Sequence, residues 1–167
     1  VSIHKKPISD YNWSPDSRFI AFSKMNSSYM YQVYLYSLDT KQVNCVSNGL
    51  FHDFGPVFTQ NGAHLLFISN RRFNPTYCDM EWEMVYKDIA GIYALTLKKD
   101  GPSLIPFVPG ENNNENKNTS WVAIDFEGIQ DRVEALPLKR GNYRQLSVNE
   151  SALFYFNAED GDFNKFE

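Results

Sequence analysis

A pattern that occurs twice in full and once in part constrains this chain more than any other feature. Residues 13–22 read Trp-Ser-Pro-Asp-Ser-Arg-Phe-Ile-Ala-Phe. Forty-five positions on (58 minus 13), residues 58–67 read Phe-Thr-Gln-Asn-Gly-Ala-His-Leu-Leu-Phe. A weaker copy at 146–155 reads Leu-Ser-Val-Asn-Glu-Ser-Ala-Leu-Phe-Tyr. Each copy has an apolar anchor, a turn built on Asp or Asn, and an apolar strand ending in an aromatic. Asp and Asn suit such turns because their side chains bond the backbone two residues on. A period of ~45 residues carrying only strands is the signature of β-propeller blades, each a four-stranded sheet. The expected fold class is therefore all-β: a partial β-propeller built from four-stranded antiparallel blades.

The blades can be laid along the chain. The first spans 8–50, with strands at 8–13, 19–24, 32–38 and 42–46 and a turn at Pro15-Asp16-Ser17. The second spans 52–108 and turns at Asn61-Gly62, a strong tight-turn dipeptide. Its third strand, Ile92 to Leu97, matches Val33 to Leu38 at an offset of 59 rather than 45, so an insertion at 73–90 separates strands two and three. A short fourth strand is expected between Pro102 and Pro106, where a missing N–H suits an outer edge. A polar, Asn-rich loop follows at 109–120, then a hairpin at 121–138 with its turn at Glu127-Gly128, then an incomplete blade at 142–167. Trp13 and Phe58 fall at equivalent points and are expected in the core between blades. Two blades, a hairpin and part of a blade do not close a ring. The chain is thus expected to be a piece of a longer protein or, failing that, to associate with copies of itself.

Composition narrows the partners. Aromatics make up 16% of the chain, which favours strands. The net charge is −4 and no basic stripe exists, so nucleic acid is not an expected partner. No run of ~18 apolar residues is present, so no membrane span is expected. The first residues do not read as a signal peptide, but the chain lacks an initiator Met, and the compartment stays open. Cys45 and Cys78 read as two unlinked thiols, with a disulfide between them as the alternative.

Signs of self-contained chemistry are poor. His4, His52 and His64 are scattered, and no Gly-x-Ser-x-Gly elbow accompanies them. Ser2-Ile3-His4-Lys5 fits a Ser-x-x-Lys string only by chance. No zinc spacing, calcium loop or phosphate-binding glycine loop occurs, so no metal, cofactor or catalytic residue is assigned. The insertion has more character. Asp79, Glu81 and Glu83 alternate with Met80, Trp82 and Met84, so an extended conformation would be acidic on one face and apolar on the other. This stretch reads either as a flap that attracts basic peptide groups, with Trp82 touching side chains, or as a hairpin packed on the propeller. Arg71 and Arg72 read either as a grip on a peptide carboxylate or as inter-strand ion pairs.

Three stretches carry a family resemblance. Trp-Ser-Pro-Asp-Ser-Arg-Phe-Ile-Ala-Phe-Ser (13–23) resembles the repeat of TolB-type and tricorn-type propellers. Asp53 to Phe58, followed by Leu66-Phe67-Ile68-Ser69-Asn70-Arg71-Arg72-Phe73-Asn74-Pro75, resembles a blade of tricorn-like proteases. Ile124 to Val133 with Leu136-Pro137-Leu138 and Gly141-Asn142-Tyr143 resembles a segment late in the same propeller region. Tricorn-like proteases are large serine peptidases of the S41 family, in which two propellers precede a catalytic half with a PDZ-like module. The resemblance implies a non-catalytic part of the second propeller. It would guide or filter peptides and unfolded polypeptide toward an active site in another domain, and support assembly with the remaining blades, the peptidase domains or a homo-oligomer. No catalytic Ser, His or Glu of that family has a counterpart here. The alternative is a TolB-like scaffold that binds proteins and has no peptidase attached.

Overall fold

A computed structural model describes residues 7–72, 75–77, 84–86, 88–105 and 121–158. The first sheet is a meander of β1 (Ile8–Trp13), β2 (Phe19–Met25), β3 (Tyr31–Ser37) and β4 (Val43–Cys45), in that spatial order. The β1–β2 turn is held by Asp16, whose Oδ1 accepts from the Ser14 hydroxyl at 2.6 Å and the Arg18 N–H at 3.2 Å. Ser17 supplies the left-handed residue that this turn needs, at φ 60°.

The second sheet begins with β5 (Asp53–Phe58) and β6 (His64–Ser69), joined through Asn61-Gly62. Gly62 has φ 66° at the position equivalent to Ser17. The insertion contains a small hairpin of β7 (Pro75–Tyr77) and β8 (Met84–Tyr86). The main sheet resumes with β9 (Gly91–Thr96) and ends with β10 (Val133–Ala135), giving the order β10-β9-β6-β5. A further pair, β11 (Tyr143–Val148) and β12 (Leu153–Asn157), forms its own two-stranded sheet. Among the described residues, no helix is long and apolar enough to cross a membrane.

Two expectations about strands need correction. The fourth strand of the second sheet is Val133–Ala135, not the segment between Pro102 and Pro106. Residues 101–105 carry no strand. Proline cannot donate to a ladder, and this segment is engaged elsewhere: the Pro102 carbonyl faces His64 Nε2 at 2.8 Å and the Ser103 hydroxyl bonds Glu134 at 2.5 Å. The hairpin expected at 121–138 does not form either. Val122, Ile124 and Phe126 pack on the core instead of pairing. The Val122 N–H donates to Asp16 Oδ2 at 2.7 Å and the Asp125 N–H to the Leu97 carbonyl at 3.0 Å. After Gly128 (φ 62°) a short 3-10 helix, Ile129–Arg132, turns the chain back. Arg132 then donates to the carbonyls of Thr96, Leu97, Asp125 and Glu127, fixing the start of β10 against the end of β9.

Two apolar layers result. The first lies between the two large sheets and includes Phe19, Val33 and Leu35 against Leu65, Phe67 and Leu95. The second lies between the far face of the second sheet and β11–β12, with Ile68, Ile92 and Tyr143. The second sheet is therefore covered on both faces, and every residue of β6 and β9 is buried. Among the described residues the first sheet is covered on one face only. That difference separates the equivalent residues Phe58 and Trp13. Phe58 is 4% exposed and inside the core; Trp13 is 48% exposed, contrary to expectation, because its face has no neighbouring sheet among the described residues.

His64 is buried in this frame. With Nε2 donating to the Pro102 carbonyl, Nδ1 is left without a partner. Burial pushes its pKa below the ordinary 6.5, against the opposing pull of the Pro102 carbonyl and Glu134. The unfolded chain then binds more protons than the folded one below about pH 6.5, so stability is lost as pH falls from there toward the folded pKa. A His64→Gln variant, which keeps a donor but does not titrate, is expected to show a smaller drop in urea midpoint between pH 7 and pH 5. Equal drops in the two proteins would refute this assignment.

Candidate functional site

Because the strands alternate in direction, one rim of the sheets collects the starts of β1, β3, β5 and β9 and the ends of β2, β4 and β6. The insertion leaves from this rim. The inner strands of the two large sheets are stitched together beside it. Asp10 on β1 accepts at Oδ2 from the Ser23 hydroxyl at 2.7 Å, the Ser9 hydroxyl at 3.3 Å and the Gly55 N–H of β5 at 3.2 Å. Lower down, Asn12 accepts from the Phe58 N–H at 3.0 Å.

Above the seam lies a cleft of about 340 Å³ lined by Ser9, Asp10, Tyr31, His52, Phe54 and Asn70. His52 Nδ1 accepts from the Tyr31 N–H at 3.3 Å, which leaves Nε2 to carry the proton of the neutral ring. The His52 carbonyl accepts from the Asn70 N–H at 3.1 Å, so both residues are fixed by backbone bonds. Among the described residues no group of three or more His, Cys, Asp or Glu side chains could hold a metal. Burial pushes the Cys45 thiol up, away from the thiolate form that reacts.

The residues singled out in the sequence fall into two groups. Asp79, Glu81, Trp82 and Glu83 lie outside the described residues. Arg71 and Arg72 leave the end of β6 in different directions, each with internal partners. Arg71 donates to Asp53 Oδ1 at 3.0 Å and to the Ser69 hydroxyl at 2.7 Å. Its guanidinium lies 4.5 Å from the Tyr93 ring centroid, 5.4 Å from Phe51 and 5.7 Å from Phe67. Arg72 donates to the carbonyls of Leu138 at 2.7 Å and Leu136 at 3.2 Å. Gly91 makes room for it, since a Cβ there would lie 2.8 Å from Arg72 Nε. Asp10, His52 and Asn70 do not stand out in the sequence as site residues: His52 reads there as one of three scattered histidines and Asn70 as part of a family-like stretch. The one available signal was Ser9-Asp10 interrupting an inner strand otherwise marked by Ile8, Tyr11 and Trp13.

This geometry can be set beside known proteins. A family model described as the tricorn protease second beta propeller domain matches residues 2–165. The chain belongs to this family. Among curated proteins, the tricorn second-propeller chain is 28% identical over 154 residues to tricorn protease homolog 1 of Streptomyces coelicolor, covering 86% of the chain and 14% of that protein. It is 26% identical over 152 residues to the tricorn protease homolog of Saccharolobus solfataricus, covering 89% of the chain and 13% of that protein. It therefore spans about one seventh of the length of these relatives. A crystal structure of the tricorn protease superposes with a TM-score of 0.66 at 18% identity, over 85% of the chain and 14% of the other. That likeness supports the propeller fold.

Proposed function

We propose that this tricorn second-propeller chain is a non-catalytic wall of a larger serine peptidase, guiding unfolded peptide toward an active site in another domain. The observation that carries the reading is the pairing of a polar rim cleft with apolar sheet faces that, among the described residues, stay open at both ends of the blade series. At one end Ile8, Tyr11, Trp13, Ile20, Phe22, Tyr36 and Val43 form an apolar hollow of about 390 Å³. At the other, Phe154 of β12 faces outward and is 55% exposed. Large apolar patches of this kind mark surfaces meant for a partner. A propeller supplies such partners as further blades, which supports the assembly role. The cleft on the rim is then a natural place for passing peptide.

The test incubates the chain with a fluorescent, permanently unfolded polypeptide, followed by anisotropy and by gel. Binding without cleavage is expected. Cleavage by the chain would overturn the non-catalytic reading, and absence of binding would overturn the conduit. The open faces add an expectation of their own: the chain alone should self-associate and bind a hydrophobic dye. Tyr11→Ser with Trp13→Ser should reduce both. A monodisperse, dye-silent parent chain would count against the open-face reading.

A further inference from the structure

We propose that the rim cleft between β1, β3 and β5 is a subsite for a cationic group of an unfolded peptide, the ammonium or guanidinium of a Lys, Arg or free N-terminus. This deepens the peptide-guiding reading above and rests on it. Among the described residues that wall the cleft, Asp10 is the only one that carries a formal charge. Its three donors all converge on Oδ2, so Oδ1 is left for a ligand while the carboxylate is held rigidly by two strands. The two ion pairs among the described residues, Arg18–Asp39 and Arg71–Asp53, do not involve Asp10.

The remaining walls match the rest of such a side chain. Tyr31 and Phe54 offer apolar surface for an aliphatic stem and ring faces that attract a cation. His52 Nε2 is a donor for a peptide carbonyl, and the Asn70 amide can serve as donor or acceptor. The volume lies at the lower end of the range of about 300–1,000 Å³ typical of small-ligand sites. The alternatives fit less well. An anion would meet the Asp10 carboxylate. A divalent cation needs more oxygen ligands than one carboxylate, one amide and the Ser9 hydroxyl supply.

The experiment measures anisotropy of labelled unstructured decapeptides with the full chain at low salt. The peptides are identical except for a central Lys, Arg, norleucine or Glu, and each is made with a free or an acetylated N-terminus. A charge-assisted hydrogen bond corresponds to a preference of about tenfold or more for the cationic peptide. The preference should shrink as salt rises. If the acetylated Lys and Arg peptides keep it, the side chain is the ligand; if only free N-termini show it, the terminal ammonium is. Asp10→Asn should abolish the preference. Asn70→Lys, which leaves the Asp10 stitch untouched, should do the same if the first variant unfolds. Asp39→Asn, on the opposite rim, should leave it unchanged. Equal binding of all peptides would overturn the subsite while sparing the conduit. A preference that survives both Asp10→Asn and Asn70→Lys would place the cation elsewhere and overturn it too. No binding of any peptide would overturn both readings.

Discussion

Arg71→Ala is expected to lower the folding stability by about 3–5 kcal/mol, the loss typical when one partner of a buried ion pair is removed. Asp53 is 0% exposed, so without Arg71 its carboxylate would be buried with no countercharge. The loss would be compounded because Asp53 Oδ2 already has no hydrogen-bond partner. The guanidinium also fills space between the Phe51, Phe67 and Tyr93 rings, so the truncation removes packing as well as charge. Urea denaturation should show the midpoint falling with little change in slope. Arg71→Met combined with Asp53→Leu should be less harmful than Arg71→Ala alone, because no isolated charge remains. A loss below about 1 kcal/mol for Arg71→Ala, the range of exposed pairs, would show that water reaches Asp53.

The second large effect is expected at Phe67. It is fully buried, stacked on Tyr93 at 6.2 Å between centroids, and central to the layer between the two large sheets. Phe67→Ala should cost about 3–5 kcal/mol, from lost transfer energy and the cavity left behind. Phe154→Ala, at an outward-facing position of β12, should cost well under 1 kcal/mol in the isolated chain. If both substitutions cost the same, the layer between the sheets is not the main source of stability. In a longer protein that supplies a neighbouring blade, the penalty at Phe154 should grow while that at Phe67 stays as it is.

Much of the first sheet could be read from the sequence because everything that shapes it is local. Its four strands are consecutive, its turns carry Asp, Asn or a left-handed residue, and its alternation of Val33 and Leu35 with Tyr34 and Tyr36 separates a covered face from an open one. The outer strand of the second sheet could not be read this way. Val133–Ala135 pairs with Leu95–Tyr93 across a long detour, and three residues carry too little pattern to announce a partner so far away. Val122, Ile124 and Phe126 do alternate, but tertiary contacts with the core took precedence over pairing. The family-like stretches Asp53–Phe58 and Leu66–Pro75 read as parts of one blade, but nothing in their spacing announces the Asp53–Arg71 ion pair that joins them. The same pair explains why Arg71 has an internal partner rather than an open guanidinium. The cleft was invisible for a related reason: Asp10, His52 and Asn70 are ordinary residues whose meaning comes from three strand ends meeting at one rim.

The detour before β10 also has a consequence for the order of events during synthesis. The first sheet has all its strands once Cys45 has emerged, but β9 keeps an unpaired outer edge until Val133–Ala135 appears, since Leu95 pairs with Val133. At roughly 5–20 residues per second, those 38 positions (133 minus 95) correspond to about 2–8 s of exposed edge. Closing so long a loop costs little more than closing a short one, because the entropy grows only with the logarithm of its length. The delay is therefore kinetic. In a crowded ribosomal setting the nascent second blade is the point at which a neighbouring strand could pair in place of the chain's own.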